Sequence, residues 1–240
     1  DLLISLNASN NKLYRLLVGR DYFDLIIEQL KYLVKLQHSF ANNLHLALKF
    51  LITSLNIEDL PNFVKLASNI GINYIYCHYI TIYKPEHLKL SCFFEKDKTN
   101  KIFDQTEKLA SQLGINIVLP PRFNTKYTNK KIMCSDPWKF FYVEVQGSVV
   151  PCCFAGGHAG YITKEDFFSI WNGDVYKKLR EGLINNNPQL WCKNCYKYDP
   201  ENVNKIESHI TFRPETKKEI LNYIKHHKEE FPVFEEIAKL

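Results

Sequence analysis

Between residues 2 and 121, short apolar runs alternate with stretches whose apolar residues recur every three or four positions. That switching of period from two to 3.6 restricts the possible folds more than any other feature of the chain. "LLISLN" (2–7) reads as a strand, and Phe23, Ile26, Ile27, Leu30, Leu33 and Val34 follow it at helical steps. "LHLALKFLIT" (44–53) reads as a buried strand; Asn56 with Asp59 three residues later predicts a capped helix start. Leu60, Phe63, Val64, Ala67 and Ile70 then form the inward stripe, and Gly71 stands where a left-handed cap closes the helix. A third unit comprises a strand in "NYIYCHYITIY" (73–83), a polar loop through 84–100, and a helix carrying Ile102, Leu109 and Leu113 up to Gly114. "INIVLPP" (115–121) reads as one more strand. Strand and helix in alternation imply parallel pairing with right-handed crossovers, hence an α/β layer or part of a barrel. Three such units are too few to close a barrel.

With 240 residues and 45% hydrophobic content the chain can bury a substantial core. No run approaches the roughly 18 to 20 apolar residues of a membrane span, and the N-terminus lacks the order of a signal peptide. The expectation is a soluble, cytoplasmic protein with no membrane partner. Its net charge of +5 is scattered, without a basic block dense enough to track phosphates, so no nucleic-acid partner is expected. The chain opens at Asp1 directly into a strand, which reads as a piece of something longer.

After Pro120-Pro121 the texture changes: residues 122–133 are polar and basic, and five of the seven cysteines lie beyond them. "FFYVEVQGSVVPC" (140–152) predicts two short strands turning at Gln146-Gly147. "KEDFFSIWNGDVYKKLREGLI" (164–184) reads as a loop and then a helix from about Asp174. The tail, 214–240, reads as a charged amphipathic helix pair broken at Pro232.

The cysteines follow the pattern C-x12-G-x4-C, a gap of about forty residues, then C-x2-C, which nominates Cys134, Cys152, Cys192 and Cys195. Four soft thiolates suit tetrahedral zinc or an iron–sulfur cluster. Zinc ribbons present two short C-x2-C knuckles, and only the second pair is short here, which favours the cluster. Adjacent cysteines on an extended chain face opposite ways, so one of Cys152 and Cys153 ligates. The competing reading is a non-catalytic interaction module whose four cysteines hold structural zinc. "Trp191-Cys192-Lys193-Asn194-Cys195" has the spacing of a redox dithiol but follows no strand and leads into no clear helix. Cys77 reads as core, Cys92 as a loop residue without a partner, and His226-His227 as a solvated part of the tail. Trp138, Trp171 and Phe154 are expected to shield the cysteine site.

The run "CSDPWKFFYVEVQGSVVPCC", with "GGHAGYITKEDFFSIWNGDVYKKLREGL" and "CKNC" after it, resembles the auxiliary-cluster domain, SPASM or the shorter twitch, of radical S-adenosylmethionine enzymes. The matching positions are Cys134, Pro137-Trp138, Gly147, Pro151-Cys152-Cys153, Gly160, Ile170-Trp171-Asn172, Leu179-Arg180, Cys192 and Cys195. No cysteine follows Cys195, so the resemblance implies a twitch-like domain with one auxiliary [4Fe-4S] cluster on Cys134, Cys152, Cys192 and Cys195, and Cys153 spare. Residues 1–121 are similar to the second half of such an enzyme's (β/α)6 barrel. The implied organisation is a partial barrel (1–121), a small α+β iron–sulfur domain with a β-hairpin (122–202) and a helical tail (203–240). By the same analogy Ser5 lies within reach of S-adenosylmethionine. The family's C-x3-C-x2-C loop is absent from this sequence. The resemblance thus places S-adenosylmethionine and a second [4Fe-4S] in a longer parent, and this chain alone is expected not to cleave S-adenosylmethionine. Implied partners are a peptide or small-molecule substrate and an electron donor such as a flavodoxin or ferredoxin.

Overall fold

Four strands, β1 (Leu2–Ser5), β2 (Leu46–Ile52), β3 (Tyr74–Tyr79) and β4 (Asn116–Val118), pair in parallel in their chain order. Parallel neighbours cannot be joined by a tight turn, so each connection carries helix: α1 (Asn11–Val18) and α2 (Phe23–Ser39), then α3 (Leu60–Ile70), then α4 (Lys96–Leu113). The chain is seen here as a computed structural model that describes residues 2–39, 44–127, 134–152, 157–211 and 213–230. It divides into two compact units, Asp1–Ile80 with His87–Phe123, and Thr81–Glu86 with Asn124–Leu240.

In the first unit, register decides which face is covered. Ile4, Leu48, Ile75 and Ile117 form one row across the sheet, and Ser5, Lys49, Tyr76 and Val118 form the next, pointing oppositely. Leu48, Phe50, Ile52 and Ile75 are fully buried, as are Leu60, Phe63, Val64 and Ala67 of α3, and the rings of Phe50 and Phe63 lie 4.7 Å apart. Tyr74, Tyr76 and Val118 on the other face are exposed. The stripe on α3 is thus the one that the spacing predicts. Gly71 closes α3 at φ +92°, where a Cβ would also meet the Val34 side chain at 3.2 Å.

Three features depart from the sequence reading. The expected capping box of Asn56 and Asp59 does not form: Asn56 makes no cap bond. Its buried amide accepts from Thr53 N (2.7 Å) and Thr53 Oγ1 (3.0 Å), and donates to Asn7 O (3.0 Å) and Leu51 O (2.9 Å). Asp59 instead accepts from the Ser9 amide and hydroxyl. Both residues tie the loop after β1 to the loop after β2, a long-range use that outweighs a local cap. The helix α1 was not anticipated; Asn10 caps it by accepting from Leu13 N at 2.9 Å. The expected loop at 84–100 holds 3-10 turns, Pro85–Leu90 and Cys92–Glu95, and α4 already begins at Lys96. Leu88, Cys92 and Phe93 are buried there, so Cys92 is a core residue, with burial pushing its thiol up to about 12. Cys77 is core as expected.

In the second unit β5 (Tyr142–Val143), β6 (Ser148–Val150) and β7 (Gly160–Tyr161) form an antiparallel sheet. The β5–β6 turn works through Gly147 at φ +80°, its amide donating to Glu144 O at 2.8 Å. β7 was not anticipated, two residues being too short to show a period. Residues 164–173, read as a loop, contain a short helix α5 (Phe167–Trp171), because Asp166 accepts from Phe168 N and Ser169 N. Next come α6 (Asp174–Ile184), which starts where predicted, α7 (Leu190–Lys193) and α8 (Pro214–His226). Ile82 bridges to Ile210, tying residues 81–86 into this unit. The predicted break at Pro232 lies outside the described residues. No described helix is long and apolar enough to cross a membrane.

Candidate metal centre

Cys192 sits on α7 and Cys195 in the turn that follows it, closed by Cys195 N donating to Cys192 O at 3.0 Å. Both are buried. The backbone N–H groups of Lys197 and Tyr198 lie near the Cys195 sulfur and favour a thiolate there, and that of Tyr198 donates to Cys195 O at 3.1 Å. A residue the sequence reading missed holds this loop: buried Asn202 donates through Nδ2 to Lys193 O (2.8 Å) and Cys195 O (3.2 Å). No local pattern marks Asn202, since its partners lie seven and nine residues back. Replacing it with Ala takes this donor from Lys193 O, while Cys195 O keeps Tyr198 N and Asp199 N at 3.1 Å each. It should cost roughly 1–3 kcal/mol, seen as a lower melting temperature, with faster loss of bound metal to a chelator.

Cys192 packs with Leu179 and Leu183 of α6, and Cys134, Trp191 and Tyr198 pack against this group. Cys134 leads into a 3-10 turn, Asp136–Trp138, which is fastened on two sides. Arg180 donates through Nε to Pro137 O (3.1 Å) and through Nη1 to Trp171 O (2.9 Å), its guanidinium lying over the rings of Trp171 (4.4 Å) and Tyr176 (4.9 Å). Lys197, just past the C-x2-C loop, pairs with Asp136 at 3.3 Å. Cys152 follows the end of β6 and interacts electrostatically with Cys192 and Tyr176.

Electrostatics link the four nominated sulfurs. Burial, first, and then the negative charges of Cys152, Cys195 and Cys134 push the Cys192 thiol well above its ordinary range. Burial pushes Cys195 up to about 11, against its backbone donors. A reactive dithiol needs a depressed pKa, so the raised thiol of Cys192 argues against the redox reading of W-C-x-x-C. Thiols that resist ionisation because they are buried beside one another are what a bound cation relieves. Among the described residues, no three His, Cys, Asp or Glu side chains stand close enough to hold a metal ion as they are. The donor set fits a thiolate-bound metal or cluster in its chemistry, and an orphaned buried N–H on Trp191, taken up below, fits an anionic acceptor in its midst.

The aromatic surroundings differ from those expected. Trp138 is 37% exposed, because Pro137 is the buried residue of its turn. Trp171 packs in a separate cluster with Val149, Ile170 and Tyr176, its face taken by Arg180. Trp191 and Tyr198 adjoin the cysteines instead. Cys153 and Phe154 lie outside the described residues. His226 and His227 form no site: His226 Nδ1 meets Asn222 O at 2.8 Å, and His227 stacks on Tyr223 at 4.0 Å. Ser5 belongs to the other unit, exposed at the end of β1 in the row with Lys49 and Tyr76.

Residues 134–196, which begin at Cys134 and end just past Cys195, match the SPASM family, described as an iron-sulfur cluster-binding domain. No curated protein matches the chain. Among solved structures, that of native anSMEcpe with bound AdoMet is similar to it at 13% identity and a TM-score of 0.50. The likeness covers 95% of this chain and 67% of that one. Residues 134–196 thus match the SPASM iron–sulfur cluster-binding family, in a chain whose fold is similar to that of native anSMEcpe.

Proposed function

We propose that this chain is the auxiliary-cluster portion of a radical S-adenosylmethionine enzyme, holding one [4Fe-4S] cluster on Cys134, Cys152, Cys192 and Cys195. The observation that supports it best is the mutual electrostatic influence of these four thiols inside one family-matched domain. When bound, the cluster supplies a one-electron site for electron relay or an anchor that positions a substrate. The chain's own residues set that site up. Asn202 fixes the C-x2-C loop, Arg180 fixes the turn after Cys134, and the Lys197–Asp136 pair joins the two. Leu179, Leu183, Trp191 and Tyr198 keep water from the sulfurs, and burial of this kind tunes a cluster's potential.

In the same reading, the first unit is the second half of a (β/α)6 barrel. Its row of exposed Ser5, half-buried Lys49 and exposed Tyr76 faces the lumen, with Ser5 near S-adenosylmethionine. The Asn7–Asn56 and Ser9–Asp59 bonds brace the carboxyl ends of β1 and β2, the edge where parallel sheets bind ligands. The substrate is a peptide or small molecule, the electron donor a flavodoxin or ferredoxin, and the setting the cytoplasm. Because the sequence holds no C-x3-C-x2-C, the loaded chain should leave S-adenosylmethionine intact. Electron paramagnetic resonance tests the reading: after reconstitution and reduction, one spectral species typical of a single reduced [4Fe-4S] cluster is expected. Two species, or no signal from a chain that binds iron, would contradict it.

A further inference from the structure

The indole nitrogen of Trp191 is shut off from solvent and has no hydrogen-bond partner among the described residues. Buried N–H groups almost always have an acceptor, and one that does not calls for a missing partner. Trp191 packs against the group formed by Leu179, Leu183 and Cys192, together with Cys134 and Tyr198. Leucine offers no acceptor. Side-chain acceptors in that group are thus the two cysteine sulfurs and the Tyr198 hydroxyl. A neutral thiol is a weak acceptor, whereas a thiolate is a strong one, and charged acceptors roughly double the strength of such a bond.

Resting on the cluster reading above, we infer that Trp191 is a tuning residue: its Nε1–H donates to the thiolate of Cys134 or Cys192 once these bind the cluster. A donor on a ligating sulfur stabilises the more negative, reduced cluster and so raises its reduction potential. The bond also holds the indole against the sulfurs, where it excludes water. Trp191 and Cys192 share the short helix α7, and Trp191 packs against the group that holds Cys192 and Cys134.

Trp191→Phe removes the N–H and keeps an apolar ring, so it separates donation from packing. Wild type and W191F would be reconstituted anaerobically with iron and sulfide, and their midpoints measured by a redox titration followed by electron paramagnetic resonance. Equal iron uptake with a lower midpoint in W191F is expected, while metal-free W191F should melt no lower than metal-free wild type. Independently of any variant, wild type grown with 15N-labelled tryptophan should show hyperfine coupling of the reduced cluster to an indole nitrogen, absent in unlabelled protein. Equal midpoints, or no 15N coupling in an iron-loaded wild type, would overturn the assignment and leave the cluster reading standing. A wild type that takes up no iron would overturn the cluster reading and this assignment with it.

Discussion

Changing Cys152 to Ser should abolish cluster loading, taking iron from roughly four per chain to a small fraction of that. A [4Fe-4S] cluster takes one thiolate per iron, and a serine hydroxyl is a harder, far less acidic ligand that does not replace it. Cys152 interacts electrostatically with Cys192, and it is reached directly from the end of β6, whose register Val149 fixes from within the core. Cys153→Ser should load as wild type does, since successive residues of an extended chain face opposite ways and one of the pair ligates. Iron and sulfide analysis of the two variants, side by side, checks this. Loading lost in C153S and kept in C152S would show that the ligand assignment is wrong.

Loading should also stabilise the second unit strongly. A metal or cluster that binds the folded chain's thiolates and not the unfolded chain's adds its binding energy to folding. Several kcal/mol of linkage in a domain of this size corresponds to a rise in melting temperature of more than about 10 °C. The effect has a pH signature. In the metal-free chain the Cys195 thiol lies at about 11 against an ordinary value of 9.0, burial being the main cause. The folded state therefore holds its proton more tightly than the unfolded state. The stability this lends is fully present below pH 9 and is lost as pH rises through 11. Ligated thiolates carry no proton to lose, so the gap between loaded and metal-free melting temperatures should widen over that range. Calorimetry of both forms from pH 8 to pH 11 measures it, and a gap that stays constant would contradict the burial of these thiols.

The β/α alternation could be read from the sequence because Leu48, Phe50 and Ile52, and then Phe63, Val64 and Ala67, carry the two periods without interruption. Gly71 and Gly114 mark their helix ends for a backbone reason that no neighbour alters. What escaped was set by contacts distant in sequence. Asn56 resembles a cap locally, but its amide is spent on Asn7 and Leu51. Residues 84–100 look polar as a segment, yet Leu88 and Phe93 find the core. The four cysteines stand out by spacing and soft-donor chemistry, whereas Asn202 does not, and Arg180 and Trp191 stand out only as motif positions without a role. Each of these acts on the site through a carbonyl, a ring face or an indole N–H whose partner only folding supplies.

Anaerobic purification after growth with iron, followed by metal and sulfide analysis and an absorbance spectrum, tests the central assignment most directly. Four thiolate ligands around one cluster predict brown protein with broad absorbance near about 400 nm and roughly four irons and four sulfides per chain. Colourless protein that retains one zinc per chain under the same treatment would contradict it and make the second unit a structural zinc module.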